Sequence, residues 1–211
     1  MISIEKARAF YAESDAVHDF DHVLRVLRVA EKLAAEEGAD MEIVHAAALL
    51  HDVAGSAPGG EGRENHHIHS AEYAGRVLAD EGCSPEYILA VQHCIRTHRF
   101  RNGGESPLTI EAKCVFDADK LDVIGAIGAA RTIAYAALAG ESFYSQPSRQ
   151  YLECGREVEG EPHSAYHEYL FKLVKIKNRL FTPAARKMAE HRDRALRDFF
   201  EELAAEMKAE K

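Results

Sequence analysis

Ala48-Leu49-Leu50-His51-Asp52-Val53 decides how the rest of the chain is read. Counted at helical spacing, Asp52 follows Leu49 and Ala48 by three and four residues, on the face of Met41, Val44 and His45. A surface helix turns that face to its core, where an ionised carboxylate is rarely left unpaired. His22 repeats the pattern beside Val26, Val29 and Leu33. Asp119 repeats it within a stripe of Ala112, Val115, Phe116, Val123, Ala126, Ile127 and Ala130. Three helices thus each aim a ligand-type side chain inward, and a divalent cation is the simplest compensation for buried carboxylates and imidazoles together. Taken singly, each would be an ordinary hydrogen-bonded core residue. The set and its order carry the inference.

Four segments surround these residues: His18-Asp19-Phe20-Asp21-His22-Val23-Leu24-Arg25-Val26, Ala48–Val53, His93-Cys94-Ile95-Arg96-Thr97-His98-Arg99-Phe100, and Asp117-Ala118-Asp119-Lys120-Leu121-Asp122-Val123-Ile124-Gly125. The order His22, His51-Asp52, Asp119 resembles the signature of the HD-domain metal-dependent phosphohydrolases. The contexts are similar to a bacterial subgroup of small single-domain members that includes a manganese-using nucleotide pyrophosphatase. The likeness runs from about residue 10 to the C-terminus. It implies an all-α HD-domain helical bundle formed as a single domain over residues 1–211, with an irregular loop at about 140–163 and two C-terminal helices packed on the bundle.

The resemblance also implies the metal ligands His22, His51, Asp52 and Asp119. Asp52 and Asp122 are the expected catalytic carboxylates, and His18, Arg25, His93, His98, Lys120 and Lys172 the candidates for substrate phosphate. Two imidazoles and two carboxylates suit one divalent cation, Mn2+ or Mg2+ by preference, with Fe2+, Co2+ and Ni2+ compatible. A second cation, through His66 or His69, is the less favoured alternative. The expected reaction is hydrolysis of a (deoxy)nucleoside triphosphate or related nucleotide by metal-activated water. The alternatives are a phosphodiesterase or 5′-nucleotidase acting on another small phosphate ester, or a metal- and nucleotide-binding module that turns nothing over. No G-x-S-x-G or Walker A loop offers a different route.

Composition sets the boundaries. The 211 residues carry a net charge of −9, 46% hydrophobic and 29% charged residues. That suffices for one sizeable helical core and argues against coating nucleic acid or an acidic membrane. Cys83, Cys94, Cys114 and Cys154 form no C-x-x-C pair and read as reduced, mostly buried thiols. With no leader-like segment and no membrane-length apolar run, a cytoplasmic protein with a small phosphorylated partner is expected.

Periodicity and punctuation predict helices at 1–16, 20–37, 40–54, 68–81, 85–98, 109–139 and 164–180, and a last one from Pro183. The Gly/Pro stretches 55–62 and 100–108 read as loops, the first as a connector or a phosphate-contacting lid. Lys172, Lys175 and Arg179 form a charged helix face that is solvated or reaches toward phosphate.

Overall fold

The computed structural model describes residues 2–11, 20–55, 65–99, 104–155 and 158–211. The expectations for His18, for Asp19 as a cap and for most of the 55–62 lid lie outside them. The described residues form helices and no strand, apart from one bridge between Ser142 and Ser164. Among them, no single helix is long and apolar enough to cross a membrane. The chain divides into two compact units, Met1–Lys120 with Leu180–Ala185, and Leu121–Arg179 with Arg186–Lys211.

The first unit is built around α3, Met41–Leu50. Asp40 caps it by accepting hydrogen bonds from the backbone of Glu42 and Ile43, which satisfies two otherwise orphaned donors. Ala46, Ala47, Ala48, Leu49 and Leu50 are fully buried, so the C-terminal half of this helix is apolar on every side in the manner of a central core element. Its three alanines let α2 (Phe20–Glu37) and α5 (Pro85–Thr97) pack against it closely. Ser84 caps α5 with Pro85 at the first helical position, as the sequence predicts. α4 (His66–Asp80) packs along α5. The expected first helix shrinks to α1, Ile4–Arg8.

One correction matters for the site. The helix expected over 40–54 ends at Leu50, with His51 as its C-cap and Asp52, Val53 and Ala54 in turns. The turn is held from both sides: Tyr11 donates its hydroxyl to the Leu49 carbonyl at 2.8 Å, and Ser70 Oγ accepts from the Ala54 amide at 3.1 Å.

The helix expected over 109–139 is two. α6 runs Ile110–Asp122 and α7 runs Gly125–Leu138. Ile124 is extended, and Gly125 adopts φ +78°, which only glycine takes without strain. A Cβ at Gly128 would stand 2.3 Å from the Val123 carbonyl oxygen, so the tight break requires that glycine as well. Continuation of the Asp119 stripe through Ala126, Ile127 and Ala130 therefore fails, and all three are exposed.

In the second unit the loop expected at 140–163 holds a short helix, α8, Arg149–Cys154, and a polar clasp. Glu161 accepts from the Ser148 amide and hydroxyl, both at 2.6 Å, and from His167 Nε2 at 3.0 Å. The Ser148 bonds, with His167 behind them, hold the Glu161 carboxyl down to about 2. The helix expected over 164–180 divides into α9, Ala165–Phe171, and a 3₁₀ segment, Leu173–Arg179. Tyr169, Leu173, Ile176 and Leu180 are buried, as their spacing predicts. The last helix is α10, Pro183–Met207. Of the cysteines only Cys94 and Cys114 are buried; Cys83 is half-buried and Cys154 exposed, against the expectation of mostly buried thiols.

Asp117 on α6 anchors the start of α10 within the first unit. Its fully buried carboxylate accepts from the amides of Phe181 and Thr182 at 2.9 and 2.7 Å and from the Thr182 hydroxyl at 2.7 Å. Bonds to a charged acceptor are each worth more than neutral ones, and their loss orphans buried donors. Asp117→Ala is expected to lower stability by about 3 kcal/mol, read from the urea midpoint by circular dichroism. Asp117→Asn should recover part of that loss.

Candidate metal centre

Six side chains from the first unit converge on the turn that ends α3. His22 projects from the first turns of α2, His51 and Asp52 from the α3 terminus, His66 from the start of α4, His98 from the end of α5 and Asp119 from α6. They form two triads, each with its ligand atoms within 4.8 Å of one another: His22, His51 and Asp119, and Asp52, His66 and His98.

Asp52 joins the two triads. Its Oδ2 lies 3.7 Å from His22 Nε2 and 3.6 Å from His51 Nε2. Its Oδ1 lies 3.2 Å from His66 Nε2 and 3.4 Å from His98 Nε2. Within the first triad, His22 Nε2 is 3.4 Å from His51 Nε2 and 3.6 Å from Asp119 Oδ1. Within the second, the His66 and His98 Nε2 atoms are 3.4 Å apart. Ligand atoms on a first-row cation with bonds of about 2.1 Å stand roughly 3.0–3.4 Å from each other, so both triads are close to that size.

Asp52 Oδ1 provides the test of fit. It is buried and meets no aligned hydrogen-bond donor among the described residues, although two imidazole nitrogens flank it. A buried carboxylate oxygen in that position calls for a cation. The imidazoles are also prepared as ligands. His51 Nδ1 donates to the Ala48 carbonyl at 2.8 Å, and His98 Nδ1 to the Ile95 carbonyl at 2.6 Å. Each helix end thereby spends a leftover carbonyl on fixing a ring and leaving the Nε2 lone pair free. Burial holds the His51 imidazole down to about 4, against the pull of Asp52, so the ring is neutral at physiological pH.

The acids remain ionised. Burial works to raise Asp52, but His51, with His66 and His98, outweighs it and keeps the carboxyl well below its usual range. Asp119 is depressed in the same way, burial being overcome chiefly by Lys120. Lys120 Nζ donates to Asp119 Oδ2 at 2.6 Å and to the His98 carbonyl at 3.2 Å, so it grips both triads from behind.

The remaining sequence candidates are placed as follows. Arg25 is half-buried on α2, three residues beyond His22. His93 uses both ring nitrogens on the segment after α5, at 2.7 Å to Glu105 and 3.3 Å to the Leu108 amide. Asp122 belongs to the second unit, where it is buried and paired with Arg131 at 2.6 Å. Lys172, also in the second unit, is exposed and paired with Glu168. His69 is exposed and outside both triads, while His66 lies inside one. Sequence reasoning missed Tyr11 and Ser70, whose bonds to the turn join neighbours distant in the chain; neither sits in a recognisable motif.

A family model described as HD domain matches residues 19–124. The uncharacterised protein YpgQ of Bacillus subtilis is 31% identical over 200 residues, covering 93% of this chain and 87% of that protein. The crystal structure of YpgQ in complex with ADP superposes with a TM-score of 0.74 at 27% identity, over 97% of both chains. An HD-superfamily hydrolase from Bacillus thuringiensis does so at 0.69 with 30% identity, over 98% of this chain and 97% of that one.

Two outcomes are expected. In metal-free protein, stability from His51 is complete above pH 6.5 and declines as pH falls through the window from 6.5 to about 4, because the unfolded chain takes up the proton first. The full shift corresponds to roughly 3 kcal/mol, and His51→Gln should flatten that part of the stability–pH curve. His98→Ala should remove one bound Mn2+ per chain by equilibrium dialysis, whereas Asp52→Ala should weaken every bound Mn2+.

Proposed function

The chain belongs to the HD domain family of metal-dependent phosphohydrolases, and from that premise we propose that it hydrolyses a nucleotide phosphoanhydride at a centre holding two divalent cations. The observation that carries this reading is Asp52, whose two carboxylate oxygens each face a different triad. His22, His51 and Asp119 would hold one cation, His66 and His98 the other, and Asp52 both. Bound there, the pair would polarise phosphoryl oxygens and supply a water of lowered pKa.

The chain's own groups do the rest. His51 and His98 present fixed Nε2 lone pairs, set by the Ala48 and Ile95 carbonyls. Lys120 neutralises Asp119 on Oδ2 and leaves Oδ1 turned to His22. Arg25 and Arg99 are the cations of this unit best suited to substrate phosphate, Arg by its planar array of donors. The ADP bound to YpgQ supports a nucleotide as the substrate class, and the donor set of nitrogen and carboxylate oxygen supports Mn2+ or Mg2+. A nucleoside triphosphate cleaved to monophosphate and pyrophosphate is the substrate we favour.

Metal-stripped protein is to be given Mn2+ and a panel of ribo- and deoxyribonucleoside triphosphates, with products separated by ion-exchange chromatography. Pyrophosphate release that requires Mn2+ and falls about a thousandfold in Asp52→Ala is the expected result. Release of orthophosphate from monophosphates, or opening of a cyclic diester instead, would overturn the triphosphate assignment and leave the centre intact.

A further inference from the structure

α3 ends where its own sequence gives it no reason to end. Residues 41–54 contain neither glycine nor proline, and Gly55 stands beyond them. His51, at φ −61° and ψ −33°, still has helical backbone. A continued α-helix would pair the Val53 amide with the Leu49 carbonyl and the Ala54 amide with the Leu50 carbonyl. Two of those four groups are instead diverted to side chains from elsewhere. The Leu49 carbonyl accepts the Tyr11 hydroxyl at 2.8 Å, and the Ala54 amide donates to Ser70 Oγ at 3.1 Å. The Val53 amide closes on Leu50 at 3.3 Å, one residue short of helical register. Tyr11 thus takes one member of the first helical pair and Ser70 one member of the second.

We propose that Tyr11 and Ser70 are positioning residues for Asp52: they impose the end of α3 so that the carboxylate faces both triads at once. Asp52 lies three residues after one tie and two before the other, so its backbone is fixed from both sides. Its two oxygens keep four imidazole nitrogens within 3.7 Å, and such a constellation must be held to roughly 0.5 Å. A helix end free to lengthen does not hold that tolerance, since each added residue advances about 1.5 Å along the axis. Both ties also lead to helices that carry other ligands. Tyr11 packs edge-on against Phe20, centroids 5.1 Å apart, at the start of the helix that bears His22. Ser70 is fully buried on α4, one helical turn after His66 and on the same face. The consequence for the cations rests on the two-cation reading above; the helix stop does not.

Two readouts test it. In metal-free protein, couplings across hydrogen bonds between amide ¹⁵N and carbonyl ¹³C should link Val53 to Leu50 in wild type. Tyr11→Phe, which keeps the ring, should move that coupling to Leu49, and Ser70→Ala should create one from Ala54 to Leu50. Mn2+ titration followed by EPR should show every site binding about tenfold weaker when both substitutions are combined, with each single variant in between. Tyr87→Phe is the matched control. It deletes a hydroxyl bond of the same kind, at 3.0 Å to the Glu42 carbonyl in the first turn of α3, and should leave couplings and affinities as they are. If Val53 stays on Leu50 in Tyr11→Phe and Ala54 finds no partner in Ser70→Ala, α3 stops by itself and the proposal is overturned. Couplings that switch while Mn2+ affinity holds would overturn the positioning role, as would an equal loss of affinity in Tyr87→Phe. Wild type that binds a single Mn2+ would overturn the two-cation reading instead, and the couplings would still decide the stop.

Discussion

Everything in the first unit bears on one electrostatic problem, the Asp52 carboxylate held at the end of a helix whose last five residues are fully buried. The Asp52 side chain is 30% exposed, so the cost falls on the one buried oxygen, Oδ1, whose removal from water is repaid only by close opposite charge or aligned donors. Imidazoles give partial compensation. Four of them come within 3.7 Å of its two oxygens, yet Oδ1 still has no aligned donor. The arrangement is therefore half of a structure whose other half is positive charge, and the fold spends its most tightly packed helix on holding it in place.

That packing explains why the ligands can come from five different elements. α3 carries alanine at three consecutive buried positions, so neighbouring helices approach until their ends surround its terminus. Leu49 and Ala54, just before and just after the His-Asp pair, are tied by Tyr11 and Ser70 to distant parts of the chain. The geometry at the centre is thus set by helix contacts and by two hydrogen bonds outside it, and no loop is asked to place a ligand except the short turn itself.

The all-α class, most helix cores and the convergence of the four side chains named first were legible because apolar periodicity marks the inward face, and a polar residue on that face is conspicuous. His66 was harder to place than His51. Nothing in the run His66, His67, His69 says which ring points inward, since the packing of α4 decides it. The approach of His98 to Asp52 was hidden because it spans 46 positions of sequence. The break between α6 and α7 was missed for a different reason: two glycines in an otherwise helical pattern are tolerable singly, and only the φ of Gly125 and the nearness of the Val123 carbonyl to Gly128 reveal it. The clasp at Glu161 sat in a stretch with no periodicity, where polar side chains make the structure that apolar ones make elsewhere.

The means by which the rings are aimed has a consequence for how such a protein changes over generations. His51 and His98 are oriented by main-chain carbonyls, which every amino acid possesses, so neither bond depends on which side chain stands at 48 or 95. His66 is oriented by a side chain, with Arg99 Nη1 2.9 Å from its Nδ1, and one nucleotide change at codon 99 can release it. Descendants of a common ancestor would keep one half of the centre almost by default while gaining or losing control of the other half in a single step. The orientation of the second triad, more than the fold or the first triad, is the trait on which natural variation has the easiest purchase.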